Sequence, residues 1–116
     1  HDIRANMILP TAATRMTEGL LPPAALQLLA PETVTPGVLY LVSERAPSRF
    51  AMSAGAGHFA RALVSETQGV TLAGATLTPE EVEAQFSAIS DPAGALTYAE
   101  AFEQTQRFAQ AAADLT

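Results

Sequence analysis

The sequence predicts an α/β fold, and three observations carry that prediction. Residues 3–9 read Ile-Arg-Ala-Asn-Met-Ile-Leu, the near-continuous apolar character of a strand buried on both faces of a helix-covered parallel sheet. Thr78-Pro79-Glu80-Glu81 sets a hydroxyl at a helix N-cap, proline at the first helical position and a carboxylate three residues on, which is the capping box. Thr97-Tyr98-Ala99-Glu100 repeats the device. The chain thus opens on a strand and closes on helices.

The elements follow in order. Pro10 stops the first strand, and a loop rich in Thr and Ala comes next. Residues 20–29 contain Pro22-Pro23 ahead of Ala24-Ala25-Leu26, a short helix with proline in its first turn. A second helix is expected over 33–43, capped by Thr33 or Thr35, with Val38, Leu39, Leu41 and Val42 inward. Residues 44–49 form a polar loop. Residues 50–54 read as a strand, 55–57 as a bend, 58–66 as an extended stretch and 69–72 as one more short strand. The helix after Thr78 is expected to bury Val82, Phe86 and Ile89. The helix after Thr97 runs to about Leu115, with Tyr98, Phe102, Thr105, Ala109 and Ala112 on its apolar face. A buried parallel strand needs a neighbour on each side, and no upstream strand is present. Together with a start at His1, this predicts a piece of a longer protein.

Composition narrows the function classes. A chain of 116 residues, 48% apolar, is globular and encloses a modest core. A net charge of -6 with six scattered basic residues gives no electrostatic footprint for nucleic acid or an anionic membrane. The absence of cysteine excludes disulfides and thiolate metal sites and fits a reducing compartment. Uncharged apolar stretches are too short, and too broken by proline, to form a spanning helix. His58 has no second ligand near it in sequence and reads as structural or solvent-facing. Glu80, Glu81 and Glu83 are explained by capping and a solvated face. Gly55-Ala56-Gly57 lacks the rest of a dinucleotide fingerprint. Met7, Phe102 and Phe108 read as core, and Met16 as a loop anchor.

In an open α/β sheet, ligands bind in the crevice beyond the carboxyl ends of the strands. The loop over 10–17 leaves such an end directly. It offers the hydroxyls of Thr11, Thr14 and Thr17, backbone amides and the cation of Arg15, groups that suit a polar cofactor.

Residues 6–17, Asn-Met-Ile-Leu-Pro-Thr-Ala-Ala-Thr-Arg-Met-Thr, resemble the sixth strand and following loop of short-chain dehydrogenases/reductases. The match is to the Asn-x-Ile-x-Pro pattern followed by a hydroxyl residue and Arg-Met-Thr. The chain is most similar to the (3R)-hydroxyacyl-CoA dehydrogenase module of peroxisomal multifunctional enzymes and its bacterial relatives. Leu29-Ala30-Pro31-Glu32-Thr33-Val34 resembles that group's Leu-Lys-Pro-Glu-Tyr-Val, and residues 38–44 its Val-Leu-Trp-Leu-Cys-His-Glu. Ala54-Gly55-Ala56-Gly57 resembles its Gly-Ala-Gly, and Leu77-Thr78-Pro79-Glu80 its Met-Thr-Pro-Glu.

The resemblance implies the C-terminal portion of a Rossmann-type doubly wound parallel sheet over 1–75, with a helical C-terminal extension over 76–116. It implies an NAD(P)-dependent oxidoreductase of hydroxyacyl or ketoacyl substrates, acyl-CoA among them. Pro10 and Thr11 are then expected against the nicotinamide end of NAD or NADP, and Thr14 on its carboxamide or pyrophosphate. Many members of the family carry glycine where Thr11 stands, so the backbone's approach to the ring is narrower here. Leu20, Leu21 and Leu26 belong to the implied substrate flap, and residues 33–43 to a dimer helix. The family's glycine-rich loop and its Ser and Tyr-x-x-x-Lys set have no counterpart in this sequence. Tyr40 is followed four residues on by Glu44, and Tyr98 by Phe102. No catalytic residue is therefore expected in the chain, and no metal. Its expected partners are the missing N-terminal part of the same enzyme, a small-molecule substrate and further copies in an oligomer, in a cytoplasmic setting because Asp114-Leu115-Thr116 is not a peroxisomal address. The rival reading is a non-enzymatic α-helical interaction module or a degenerate remnant of the family.

Overall fold

A computed structural model describes residues 2–115 and divides them into two compact units, the first ending at Leu63 and the second beginning at Val64. The first unit is α/β. Strand β1 (Asn6–Pro10) pairs in parallel with β2 (Phe50–Gly55), and β2 pairs antiparallel with β3 (His58–Arg61), in the order β1-β2-β3. The connection from β1 to β2 carries α1 (Pro23–Leu28), a 3-10 turn (Pro31–Thr33) and α2 (Thr35–Leu41). The observed sheet is therefore mixed and three-stranded. The parallel pairing expected of the first strand is present, one face of a βαβ unit.

Strand β1 starts later than the apolar run suggested, and the polar side chains at its entrance explain why. Asn6 Nδ2 donates to the carbonyls of Leu41 at 3.3 Å and Pro47 at 2.8 Å, while its Oδ1 accepts from the Phe50 amide at 3.0 Å. The Arg4 guanidinium donates to the carbonyls of Glu44 and Ala46 and pairs with Asp2 at 2.9 Å. That pairing holds the Asp2 carboxyl below its ordinary value. These side chains bind the turn after α2 to the entrance of the sheet, satisfying carbonyls that a short helix leaves open.

Parallel partners share a sheet face, so Ile8 and Met52 lie together under α2. The helix approaches there because Gly37 has no Cβ: one built on it would lie 2.9 Å from Met52 Sδ and from the Phe59 ring. Val34, Leu41, Ala46, Met52 and Ala54 make the buried core. The opposite face carries Met7 and Leu9, both exposed. Burial on both faces is thus not achieved within the described residues. The α2 expectation also needs correction, since Val38, Leu39 and Val42 are exposed while Val34, Gly37 and Leu41 turn inward. At the β2–β3 hairpin, Ala56 and Gly57 both take positive φ, 51° and 75°, the mirror-image turn that matches strand twist.

The second unit is built on an antiparallel bridge, Glu66 to Leu96, with both amide–carbonyl bonds at 2.8 Å. Residues 69–72 form no strand. Helix α3 (Pro79–Ala84) begins as expected, with the Thr78 hydroxyl accepting from the Glu81 amide at 3.2 Å. It then breaks at Gln85, and α4 (Phe86–Ile89) follows. Val82 and Phe86 are exposed rather than buried, and Ile89 is half-buried. Helix α5 (Ala101–Ala113) starts later than its predicted cap: Glu100 is the N-cap, and the Ala99 amide donates to Glu103 Oε2 at 2.8 Å. Its inward side is Gln104, Arg107 and Ala111, while Phe102 and Phe108 are exposed. A polar network causes this reversal. Arg107 donates to Tyr98 Oη at 2.6 Å and to the Gln68 carbonyl at 2.8 Å, and Gln104 donates to Glu66.

Candidate functional site

The loop at the carboxyl end of β1 is built by its neighbours. Pro10 ends the strand opposite Ala54, and the Thr11 amide extends the ladder by one bond to the Ala54 carbonyl at 2.8 Å. The backbone then lies directly on Gly55, where a Cβ would sit 2.9 Å from the Thr11 carbonyl oxygen and 3.1 Å from Thr11 Cβ. Gly55 therefore sets the height at which Thr11 leaves the sheet. The Ala13 amide donates to the Leu29 carbonyl at 2.7 Å, which ties the loop to the segment after α1.

Thr14 opens a compact turn. Its carbonyl accepts from the amides of Thr17 and Glu18, each at 3.0 Å, and the Thr17 carbonyl accepts from Leu20 at 3.1 Å. The Thr14 side chain is exposed, and its oxygen accepts from the Met16 amide at 3.2 Å. That bond uses a lone pair and leaves the hydroxyl proton to donate outward. Thr17 is placed differently. Half-buried, its oxygen accepts from the Thr14 amide at 2.8 Å and lies 3.1 Å from the carbonyls of both Ala12 and Thr14. Of the three loop hydroxyls, Thr17 is committed to its own backbone and Thr14 is presented to solvent.

Leu20 and Leu21 are exposed ahead of α1, and Leu26 is half-buried on it. Pro10, Thr11 and Thr14 thus lie on one continuous loop, and the leucines follow it in the chain. One contributor escaped the sequence reading: the Leu29 carbonyl, which carries no side-chain signal. A cleft of ≈ 640 Å³ is lined by Arg4, Asn6, Ile8, Val38 and Val42. It lies at the amino end of β1, away from the carboxyl end where ligands of such sheets bind. Among the described residues no group of three His, Asp or Glu is placed to hold a metal, and no helix is long and apolar enough to cross a membrane.

A parallel strand delivering a hydroxyl-bearing loop at its carboxyl end, beside a helical crossover, is a βαβ arrangement shared by many α/β proteins. The chain's homologues are short-chain dehydrogenases/reductases and peroxisomal multifunctional enzymes. It is 35% identical over 96 residues to a protein of Mycobacterium tuberculosis named as a short-chain type dehydrogenase/reductase, covering 82% of this chain and 33% of the relative. It is 34% identical over 94 residues to the peroxisomal hydratase-dehydrogenase-epimerase of Neurospora crassa, covering 78% of this chain and 10% of the relative. The chain spans only a third or less of these relatives. Its fold is shared with full-length peroxisomal multifunctional enzyme type 2 from Drosophila melanogaster, at a TM-score of 0.80 and 23% identity over 98% of this chain and 21% of the other. No family model matches the sequence.

Proposed function

We propose that this chain is the C-terminal portion of an NAD(P)-dependent short-chain dehydrogenase/reductase that interconverts hydroxyacyl and ketoacyl substrates, acyl-CoA among them. The observation that carries the reading is the placement of residues 6–17: a parallel strand ending in a loop whose Thr14 hydroxyl is exposed with its proton free to donate, in a chain homologous to this family. Residues 1–75 then complete a Rossmann-type doubly wound sheet, and 76–116 form an extension of it.

Hydride acceptance or donation is the chemistry that NAD or NADP supplies when bound. Pro10 and Thr11 hold the backbone against the nicotinamide end, where Gly55 allows close packing of the loop. Thr14 donates to the carboxamide or pyrophosphate, fixing the ring's orientation. Leu20, Leu21 and Leu26 close over the acyl group and keep water from it. The exposed Leu39, Tyr40 and Val42 around α2 supply apolar surface for an oligomer interface. Proton transfer is assigned to the rest of the enzyme, because this chain has no lysine and so none of the Tyr-x-x-x-Lys pairing that the resemblance implies for the general acid/base.

The test is NAD- and NADP-dependent oxidation of a 3-hydroxyacyl-CoA by the whole protein, followed by the absorbance of the reduced dinucleotide. Turnover with one dinucleotide is expected. Thr14→Ala should raise the KM for that dinucleotide about tenfold, the scale of one hydrogen bond to a polar ligand. Absence of turnover with either dinucleotide, across acyl-CoA and simpler hydroxyacyl substrates, would refute the assignment.

A further inference from the structure

We infer that Thr17 is a positioning residue for cofactor binding, acting through Thr14 and touching no ligand itself; the inference rests on the function proposed above. The geometry that points to it is local and complete. One hydroxyl group serves three backbone positions of the loop: it accepts from the Thr14 amide at 2.8 Å and reaches the Ala12 and Thr14 carbonyls, each at 3.1 Å. A hydroxyl has a single proton, so it donates to one of those carbonyls at a time, while its acceptor bond to the Thr14 amide persists.

The consequence concerns direction. With its amide held inward by Thr17, Thr14 has its side chain outward, and its own oxygen is fixed by the Met16 amide at 3.2 Å. The loop between Pro10 and Thr14 contains no other side-chain bond to its backbone among the described residues. It is otherwise anchored at Thr11 to the Ala54 carbonyl and at Ala13 to the Leu29 carbonyl. Without the Thr17 hydroxyl, the Thr14 amide turns to water and the hydroxyl of Thr14 samples several directions, so part of the binding energy is spent on ordering it. The methyl group of Thr17 plays no part in these bonds, so serine should substitute for threonine and valine, of nearly the same shape, should not.

The test uses the whole protein, titrated with NADH and separately with NADPH by fluorescence, alongside steady-state kinetics and thermal unfolding. Thr17→Val is expected to weaken binding of the preferred dinucleotide, and to raise its KM, about fivefold. The KM for the acyl substrate and kcat at saturating dinucleotide are expected to stay at wild-type values, and the unfolding midpoint to fall by about a degree or two, the scale of a local hydrogen bond in a large protein. Thr17→Ser should restore binding. The double variant Thr14→Val/Thr17→Val should bind no more weakly than Thr14→Val alone, since a residue that acts only through its neighbour adds nothing once the neighbour's contact is gone. Additive losses in the double variant would overturn the inference. So would a loss in Thr17→Val that follows a larger fall in the midpoint and is not rescued by serine. A wild-type protein that binds neither dinucleotide overturns the proposed function as well, whereas wild-type binding unchanged by Thr17→Val overturns this inference alone.

Discussion

The Asn6 amide joins three segments remote from it in sequence, through the carbonyls of Leu41 and Pro47 and the amide of Phe50. An apolar residue at this position would leave those backbone groups without a partner at a part-buried site. We expect Asn6→Ala to lower the unfolding free energy of the whole protein by about 1–3 kcal/mol, the scale of unmade hydrogen bonds at such groups, as read from urea denaturation. Asn6→Asp should recover little, because a carboxylate accepts from Phe50 but cannot donate to the two carbonyls. A second residue works through its lack of bulk. Gly37→Ala places a methyl 2.9 Å from Met52 Sδ and the Phe59 ring, and the overpacking is expected to cost about 1–3 kcal/mol in the same measurement. Ala56 runs the other way. It holds φ at 51° ahead of Gly57, a conformation that alanine adopts at a cost of about 1 kcal/mol and that asparagine before glycine favours. Ala56→Asn should therefore raise the midpoint. The stop at Pro10 and the strand ahead of it were legible from residue types alone. The partners of Asn6 were not, because they are backbone atoms 35 to 44 positions away, and only the folded turn after α2 brings them near.

Helix α5 shows where periodicity misleads at the scale of an element. Its apolar stripe exists in the sequence, and hydrophobic burial alone orients such a helix stripe-inward. The second unit instead presents the carbonyls of Thr67 and Gln68 and the carboxylate of Glu66, and Arg107 reaches all three consecutive residues from one side chain. A charged donor satisfying several carbonyls outweighs the transfer of one or two aromatic rings when little apolar surface is available opposite them. The same unit breaks its other helix at Gln85, whose backbone takes φ -92° and ψ 3°, although its Nε2 still donates to Glu81 Oε1 one turn back at 3.1 Å. Arg107→Ala is accordingly expected to lower the hydrogen-exchange protection of α5 about tenfold, the loss of a charge-assisted bond. Phe102→Gln, at a ring 75% exposed, should leave protection unchanged provided α5 keeps the orientation described. A larger effect from Phe102→Gln than from Arg107→Ala would mean that the apolar side is the packed one. Capping boxes proved readable at Thr78, where the hydroxyl accepts from Glu81. At Thr97 the turn into α5 is taken over by Glu103, four residues on from the amide it caps, and no local pattern distinguishes the two cases.

The molecule as a whole exposes more surface than its mass requires. Its accessible area is 9029 Å², whereas a folded monomer of this mass exposes about 6,000 Å² and two independent domains of half the mass together about 7,300 Å². The excess therefore does not depend on how the two units are arranged. It is apolar in the places where a longer α/β protein would cover it: Met7 and Leu9 on one face of β1, and Leu39 and Val42 around α2. Among the described residues the buried apolar core is Val34, Leu41, Ala46, Met52 and Ala54, a small core against the conformational entropy that ordering a sheet costs. The strand–helix–strand order of the first unit was legible, because apolar runs, prolines and Gly55-Ala56-Gly57 mark it locally. Which face of the sheet stays exposed was not, since Met7 and Leu9 read as interior positions of an apolar run and lie exposed. The resulting expectation separates a self-sufficient module from part of a larger enzyme. Residues 1–116 expressed alone should bind a hydrophobic dye such as ANS strongly, self-associate in sedimentation and lose amide protection in β1 first. The whole protein should bind little dye and protect β1 among its slowest amides. A chain of 116 residues that is monomeric, binds no dye and unfolds in one cooperative transition would show instead that the exposed faces are stable in water as they stand, and the reading of β1 as an interior strand of a longer sheet would have to be abandoned.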